Sequence, residues 1–179
     1  MLPSMTTQPH IKCIKPHIIR RYAAYAFDWT LVGLVMELVP VHTIPGGIAM
    51  LALVGGLYFS LAEASPYQGT LGKWLVGIRV EDEEGDRLGI MQSAARFLAG
   101  ALSWLTLNIG HMMAHWRKDG RALHDLVAKT RVCQEKSLTA LNEAAVPVLL
   151  VLHGATLVFA MFKAVTQAVS MISSGLPPV

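Results

Sequence analysis

A chain of 179 residues is long enough for one domain and gives no reason to invoke two. Hydrophobic residues make up 53% of it and charged ones 15%, against roughly 45–50% and 25% in ordinary soluble domains, so the surplus apolar surface has to meet lipid or partners. The formal charge of +3 and pI near 9.0 come without a basic stripe interleaved with surface aromatics, which argues against nucleic acid and suits anionic lipid headgroups.

In chain order, residues 1–17 read as a polar cytoplasmic segment. Cys13 within it and Cys133 far downstream have neither CxxC nor Cys/His finger spacing, so the expectation is two free thiols in a reducing compartment, with no disulfide framework and no zinc site. The first apolar run follows the twin arginines Arg20 and Arg21 and has no small-residue cleavage signature, so it reads as a retained anchor rather than an export signal. It carries Asp28 and Glu37, an unusual placement for ionisable groups in a helix long enough to cross a bilayer.

Four stretches approach the roughly 17–25 residues that a crossing helix needs: Tyr22–Val39, Gly46–Ala64, Ser93–Trp116 and Val146–Phe162, the last continuing helical toward Ile172. The uncharged PVHTIP between the first two predicts the turn of an antiparallel helical pair. Basic residues cluster before the first stretch, after the second and after the third, and the positive-inside rule places all three clusters in the cytoplasm. One crossing by Ser93–Trp116 would put the densest cluster outside. Asn108 and Gly110 break that stretch, which predicts a re-entrant or interfacial helical hairpin with both ends cytoplasmic. A single full span with the basic loop outside is the competing reading. The expected fold is an all-α integral membrane helical bundle of about three spanning helices plus a re-entrant or fourth helix, with a small cytoplasmic β-hairpin-like element.

Between the second and third stretches, Leu71, Trp74 and Leu75 share a face, and residues 70–76 read as a short interfacial helix. GIRVED reads as a strand with EEGD as its turn, and AKTRVC as its partner strand. The acidic cluster from Glu81 to Asp86 lacks the D-x-D-x-D-G order of a calcium loop and reads as a solvated turn.

Four ordered blocks carry a family resemblance: RRYAAYAFD, GTLGKWLVGIRVEDEEG, AARFLAG and RKDGRALHDLVAKTRV. Over about residues 18–133 the chain resembles the RDD family of bacterial multi-pass membrane proteins, named for one arginine and two aspartates, here Arg21, Asp28 and Asp125. The resemblance implies an inner-membrane protein with a role in transport of small ions or solutes, sodium/proton exchange in some members of the family. The rival reading is a non-transporting accessory or assembly subunit of a membrane complex, in which Arg21, Asp28 and Asp125 fix structure. Residues 134–179, with the final helix, lie outside it.

An aspartate at the centre of a spanning helix costs roughly 2.5–3.5 kcal/mol, so Asp28 should face the bundle interior or water and find a partner. It is either a proton or cation site or a pin for helix packing. Arg21 and Asp28 lie two turns apart on one face, about 10 Å along the axis, with Tyr25 between them as a link. Asp125 is expected to pair with Arg21, against the alternatives of a helix cap or a local pair with Arg121. Arg96, by the resemblance, is a further site candidate reaching Asp28 or Glu63. Glu63 and Glu37 are expected to reach toward the two interfaces, with Lys163 exposed at the far one.

His111 and His115, one turn apart, are packing residues on this reading, since no third metal ligand stands at a telling distance. GTLGKW lacks both the first glycine and the hydroxyl residue of a phosphate loop. Ala160, Ala164 and Ala168 form a small-residue stripe for close helix approach. No nucleophile set or hydrolytic carboxylate pair is present, so neither an enzyme nor a bound cofactor is indicated. The expected partners are the lipid bilayer and a second copy or another membrane protein.

Overall fold

The computed structural model describes residues 13–38, 46–106 and 108–174. The described chain is mostly helical: α1 (Ile18–Leu38), α2 (Gly47–Glu63), α3 (Leu71–Leu75), β1 (Ile78–Asp82), α4 (Ile90–Leu105), α5 (Ile109–Trp116), α6 (Leu123–Val127), β2 (Thr130–Gln134) and α7 (Ala140–Ser174). The predicted PVHTIP turn lies outside the described residues.

The four apolar stretches all become helix, but they differ in what they could cross. Among the described residues, α7 is the one helix both long and apolar enough to span a membrane by length and composition. Its 35 residues extend about 52 Å. Helix α1 has the length, 21 residues, but carries Arg20, Arg21, Asp28 and Glu37, and α2 is apolar but only 17 residues long. The expectation of about three spanning helices is thus met by length and composition together in α7 alone.

The third stretch breaks where the sequence predicts. Helix α4 ends at Leu105, and α5 restarts from Asn108 in the left-handed conformation. The chain folds back so tightly that a β-carbon on Gly110 would overlap the Ser103 hydroxyl. The far end of α5 returns to the start of the molecule: Lys15 Nζ donates to the Arg117 carbonyl at 2.8 Å, and Arg21 Nη1 to the Gly120 carbonyl at 2.7 Å. Helices α4 and α5 therefore form an out-and-back pair.

Helices α1 and α7 pack together and run parallel. Arg20 meets Glu143 at 2.9 Å, Thr30 Oγ1 lies 2.8 Å from His153 Nδ1, and Lys163 meets Glu37 at 3.1 Å. Aromatic rings fill the space between α1, α2 and α4, with Trp29 on Phe59 and Phe59 stacked on Phe97 at centroid distances of 5.5 and 5.9 Å. A β-carbon on Gly55 would lie 3.2 Å from the Trp29 ring and one on Gly56 3.1 Å from the Phe97 ring, so glycine at both positions leaves room for those rings.

Strands β1 and β2 pair antiparallel with Val80 opposite Val132. They are not a hairpin, because α4, α5 and α6 intervene between them. One face of the pair, with Ile78, Val80 and Val132, packs with Ala23 and Ala24 of α1 and Ala145 and Leu149 of α7 in the main apolar core. The other face carries Arg79, Glu81, Arg131 and Cys133 by alternation. The N-terminal segment covers it, with Ile14 bridged to Gln134 and Cys13 joined to Cys133 by a disulfide. That disulfide corrects the expectation of two free thiols. The cysteines are 120 residues apart, and the antiparallel bridge between Ile14 and Gln134 sets them side by side.

Candidate functional site: a buried polar cluster

Asp28 is fully buried on the inner face of α1. Its Oδ1 accepts from the Tyr58 hydroxyl of α2 and the Gly72 backbone N–H, both at 2.8 Å. Its Oδ2 accepts from the Thr70 hydroxyl at 2.5 Å. Thr70 also caps α3, taking the Lys73 N–H on the same oxygen. Gly72 is required here because a β-carbon would lie 2.5 Å from the Ala24 carbonyl oxygen and 2.9 Å from Asp28 Oδ1. Asp28 thus fastens the short interfacial helix onto α1 and α2.

A second cluster lies beside it. Asp125, fully buried at the third position of α6, accepts from Arg21 Nη2 at 2.8 Å and from the Ala122 N–H at 2.7 Å on one oxygen. Its other oxygen takes Arg96 Nη1 in a close pair. Arg96 also donates to Thr130 Oγ1 at 2.7 Å and meets Glu63 Oε2 at 2.9 Å, and Glu63 is closely paired with Lys73. Three cations and two carboxylates are interleaved, so each buried carboxylate has two cationic partners. Without that arrangement each buried ion would cost several kcal/mol.

Burial alone would raise the Asp125 carboxyl, but the Arg96 and Arg21 guanidiniums reverse this and hold it well below the usual carboxylate range. His124, next in sequence, is held well below the ordinary histidine value by burial. The adjacent Asp125 pulls against that shift, and Arg96 and Arg21 reinforce it. Its ring lies 4.9 Å from that of His111, and neither ring's Nδ1 has a hydrogen-bond partner among the described residues.

Arg21 and Asp125 are brought together, and the cap reading of Asp125 holds alongside the pair. Arg121 instead meets Asp119 and Glu83. Arg96 reaches Glu63 and Asp125. Asp28 is held from α2 and α3 by Tyr58, Thr70 and Gly72, while the Tyr25 ring packs against His111 and Trp29. Glu63 does not reach to the interface: it is buried in the cluster, because Arg96 and Lys73 compensate its charge more fully than partial solvation would. His111 faces His124 rather than working with His115. Arg20 was passed over in the sequence, yet it ties α3 to α7 by donating to the Val76 carbonyl at 2.7 Å and the Asn142 carbonyl at 3.2 Å. Thr70 was legible in principle, as a hydroxyl residue just before a short apolar helix.

The chain is 40% identical over 84 residues to the Bacillus subtilis (strain 168) protein described as "Uncharacterized protein YxaI", a match covering 46% of this chain. It spans about half, 54%, of that relative's length. No solved structure matches. The RDD family model matches residues 15–129, a stretch that holds Arg21, Asp28 and Asp125 with their partners, and the chain belongs to the RDD family.

Proposed function

We propose that this RDD protein is a multi-pass protein of a bacterial inner membrane, with its N-terminus in the cytoplasm, acting as a non-transporting accessory or assembly subunit. The observation that carries the membrane reading is the spacing of ion pairs along the parallel helices. From Arg20 to Glu37 is about 26 Å of helix, and from Glu143 to Lys163 about 30 Å, close to the ~30 Å hydrocarbon thickness. Between these levels α7 exposes Val151, Leu152, Leu157, Val158, Phe159 and Phe162. The out-and-back path of α4 and α5 lets all three basic clusters lie on one side, as the positive-inside rule asks.

The accessory reading is supported by the closed state of the polar cluster. A cation or proton carrier needs a carboxylate able to change partners. Asp28 is 0% exposed and is occupied by three donors from two other segments. No catalytic role is proposed, and the exposed face of α7 is left for lipid, a second copy or a partner subunit.

The second reading is small-ion or solute transport, with Asp28 as its polar centre. One feature favours it: the half-buried His111 and the buried His124 beside the Arg–Asp cluster, whose Nδ1 atoms have no hydrogen-bond partner among the described residues. Ion flux in sealed proteoliposomes decides between the two. No flux above empty vesicles is expected; flux that is lost in Asp28→Asn, with insertion intact, would establish transport. Topology is tested in a Cys13→Ser/Cys133→Ser background by single cysteines at Lys118 and Ser173. An impermeant maleimide applied to intact cells should modify position 173 only. Modification at 118 would overturn the shared side of the basic clusters.

A further inference from the structure

Behind the two-stranded sheet lies a donor set that the family-defining cluster does not use. Cys13 Sγ, Cys133 Sγ and a carboxylate oxygen of Glu81 all lie within 4.8 Å of one another. Glu81 and Cys133 are diagonal neighbours on the same face of the sheet, since Glu81 is opposite Arg131 and Cys133 opposite Arg79. The third donor comes from the N-terminal segment.

The position of Glu81 is what demands explanation. Its side chain is buried, 2% exposed, with Oε1 2.9 Å from Cys133 Sγ. In the disulfide that sulfur has no hydrogen to donate, so the contact supplies no hydrogen bond. In the reduced pair the sulfurs become thiols or thiolates, and a cation between them and the carboxylate would satisfy all three. Arg131 Nε donates to the same Oε1 at 2.9 Å and Arg79 Nε to Oε2 at 3.4 Å, which orients the carboxylate. That is the outer-shell support that orients a metal-binding carboxylate.

We propose that the reduced protein binds a thiophilic divalent cation of the zinc class through Cys13, Cys133 and Glu81, with the fourth tetrahedral position open to water. Thiolate and carboxylate are both ligands of such an ion, with metal–sulfur distances of about 2.3 Å and metal–oxygen distances of about 2.0–2.2 Å. The thiolates select it over magnesium or calcium. Reduction of the S–S bond takes two electrons and two protons from an added dithiol, which leaves as its own cyclic disulfide, and yields two thiols. Metal binding releases the two thiol protons. Disulfide and metal complex are thus alternative states of the same three side chains. Cys13 is only half-buried, so the ion has a route in.

The test uses the full chain in mild detergent, reduced, freed of reductant and metal without oxygen, and titrated with Co²⁺. One equivalent should produce thiolate-to-cobalt charge-transfer absorption and tetrahedral visible bands, which Zn²⁺ then abolishes. The disulfide form should give neither. Cys133→Ser should lose the charge-transfer band, and Glu81→Gln should weaken binding at least about tenfold, the lower end of what losing outer-shell support alone costs. A reduced wild-type chain without the charge-transfer band overturns the proposal. So does a Cys13→Ser/Cys133→Ser chain that keeps it, or a Glu81→Gln chain of unchanged affinity. The comparison of reduced and oxidised wild type decides even if a variant fails to fold.

Discussion

Replacing Asp125 by Asn keeps the shape of the side chain and removes one charge from the centre of the cluster. The amide oxygen can still accept the Ala122 N–H, now at 2.7 Å from Oδ2, but Arg21 and Arg96 lose their shared counter-ion. Glu63 remains, already engaged by Lys73 as well as Arg96. Breaking a buried pair by removing one partner typically costs about 3–5 kcal/mol, because the other charge stays buried. At about 2–4 °C per kcal/mol for a chain of this size, the apparent Tm should fall by roughly 6–20 °C. Asp28→Asn is the internal comparison: Asp28 accepts hydrogen bonds from two hydroxyls, which can turn, and one backbone N–H. Its loss should be smaller, about 1–3 kcal/mol. Circular dichroism melts of all three proteins in one detergent measure the order. If Asp125→Asn melts within about 2 °C of wild type, or above Asp28→Asn, the cluster is not what holds α1, α4 and α6 together.

Gly72→Ala should destabilise by about 1–3 kcal/mol through the overlap with Ala24 and Asp28, whereas Gly154→Ala in α7, with nothing within 4 Å, should be neutral or stabilising in the same melts. His124 has a depressed folded-state pKa, so the unfolded chain takes up its proton first as pH falls. Native stability should therefore decline below about pH 6.5, by up to about 1.4 kcal/mol per pH unit. His124→Phe should flatten the decline in melts between pH 7 and 5, a range in which the depressed Asp125 carboxyl stays ionised. Arg20→Gln should cost about 1.5–3 kcal/mol by leaving the Val76 carbonyl without its charged donor, while Glu143→Gln, whose side chain is 60% exposed, should fall within about 1 kcal/mol.

What the sequence revealed tracks how local each cause is. Helix α3 could be read from a hydroxyl cap and an i, i+3, i+4 apolar face, and the α4–α5 break from Asn108 and Gly110, because backbone conformation within a few residues decides such features. Arg21 could be named as the partner of Asp125 from the family resemblance together with opposite charge, with a helix cap and Arg121 as the alternatives. Glu63 could be named as one partner for Arg96, and that pair forms; Tyr58 and the Lys73 partner of Glu63 were not legible. Their roles come from the segment after α2 turning back onto α1, which brings Leu71 to Tyr58 and Lys73 to Glu63, contacts that no short-range pattern encodes. The Cys13–Cys133 bond escaped for the same reason. The Ile14–Gln134 bridge that sets the two cysteines together joins distant parts of the chain and leaves no spacing rule in it.

The remaining question is why an apolar helix should hold a buried carboxylate that accepts three hydrogen bonds from other segments. The chain between α2 and β1 supplies the reason. Segment 68–77 turns back along α1, from Asp28 at the level of Gly72 to Arg20 at the level of Val76, and a segment that short buries too little apolar area to dock by packing alone. Two polar anchors about 12 Å apart on α1 fix its position and direction. They also set the start of β1, hence the strand pair, and through Asn142 and Glu143 the start of α7. An apolar residue at position 28 would remove the desolvation cost but leave the Gly72 N–H and the Thr70 and Tyr58 hydroxyls facing apolar surface. The aspartate is thus explained by the three donors that converge on it, and a cation is not required to account for its place.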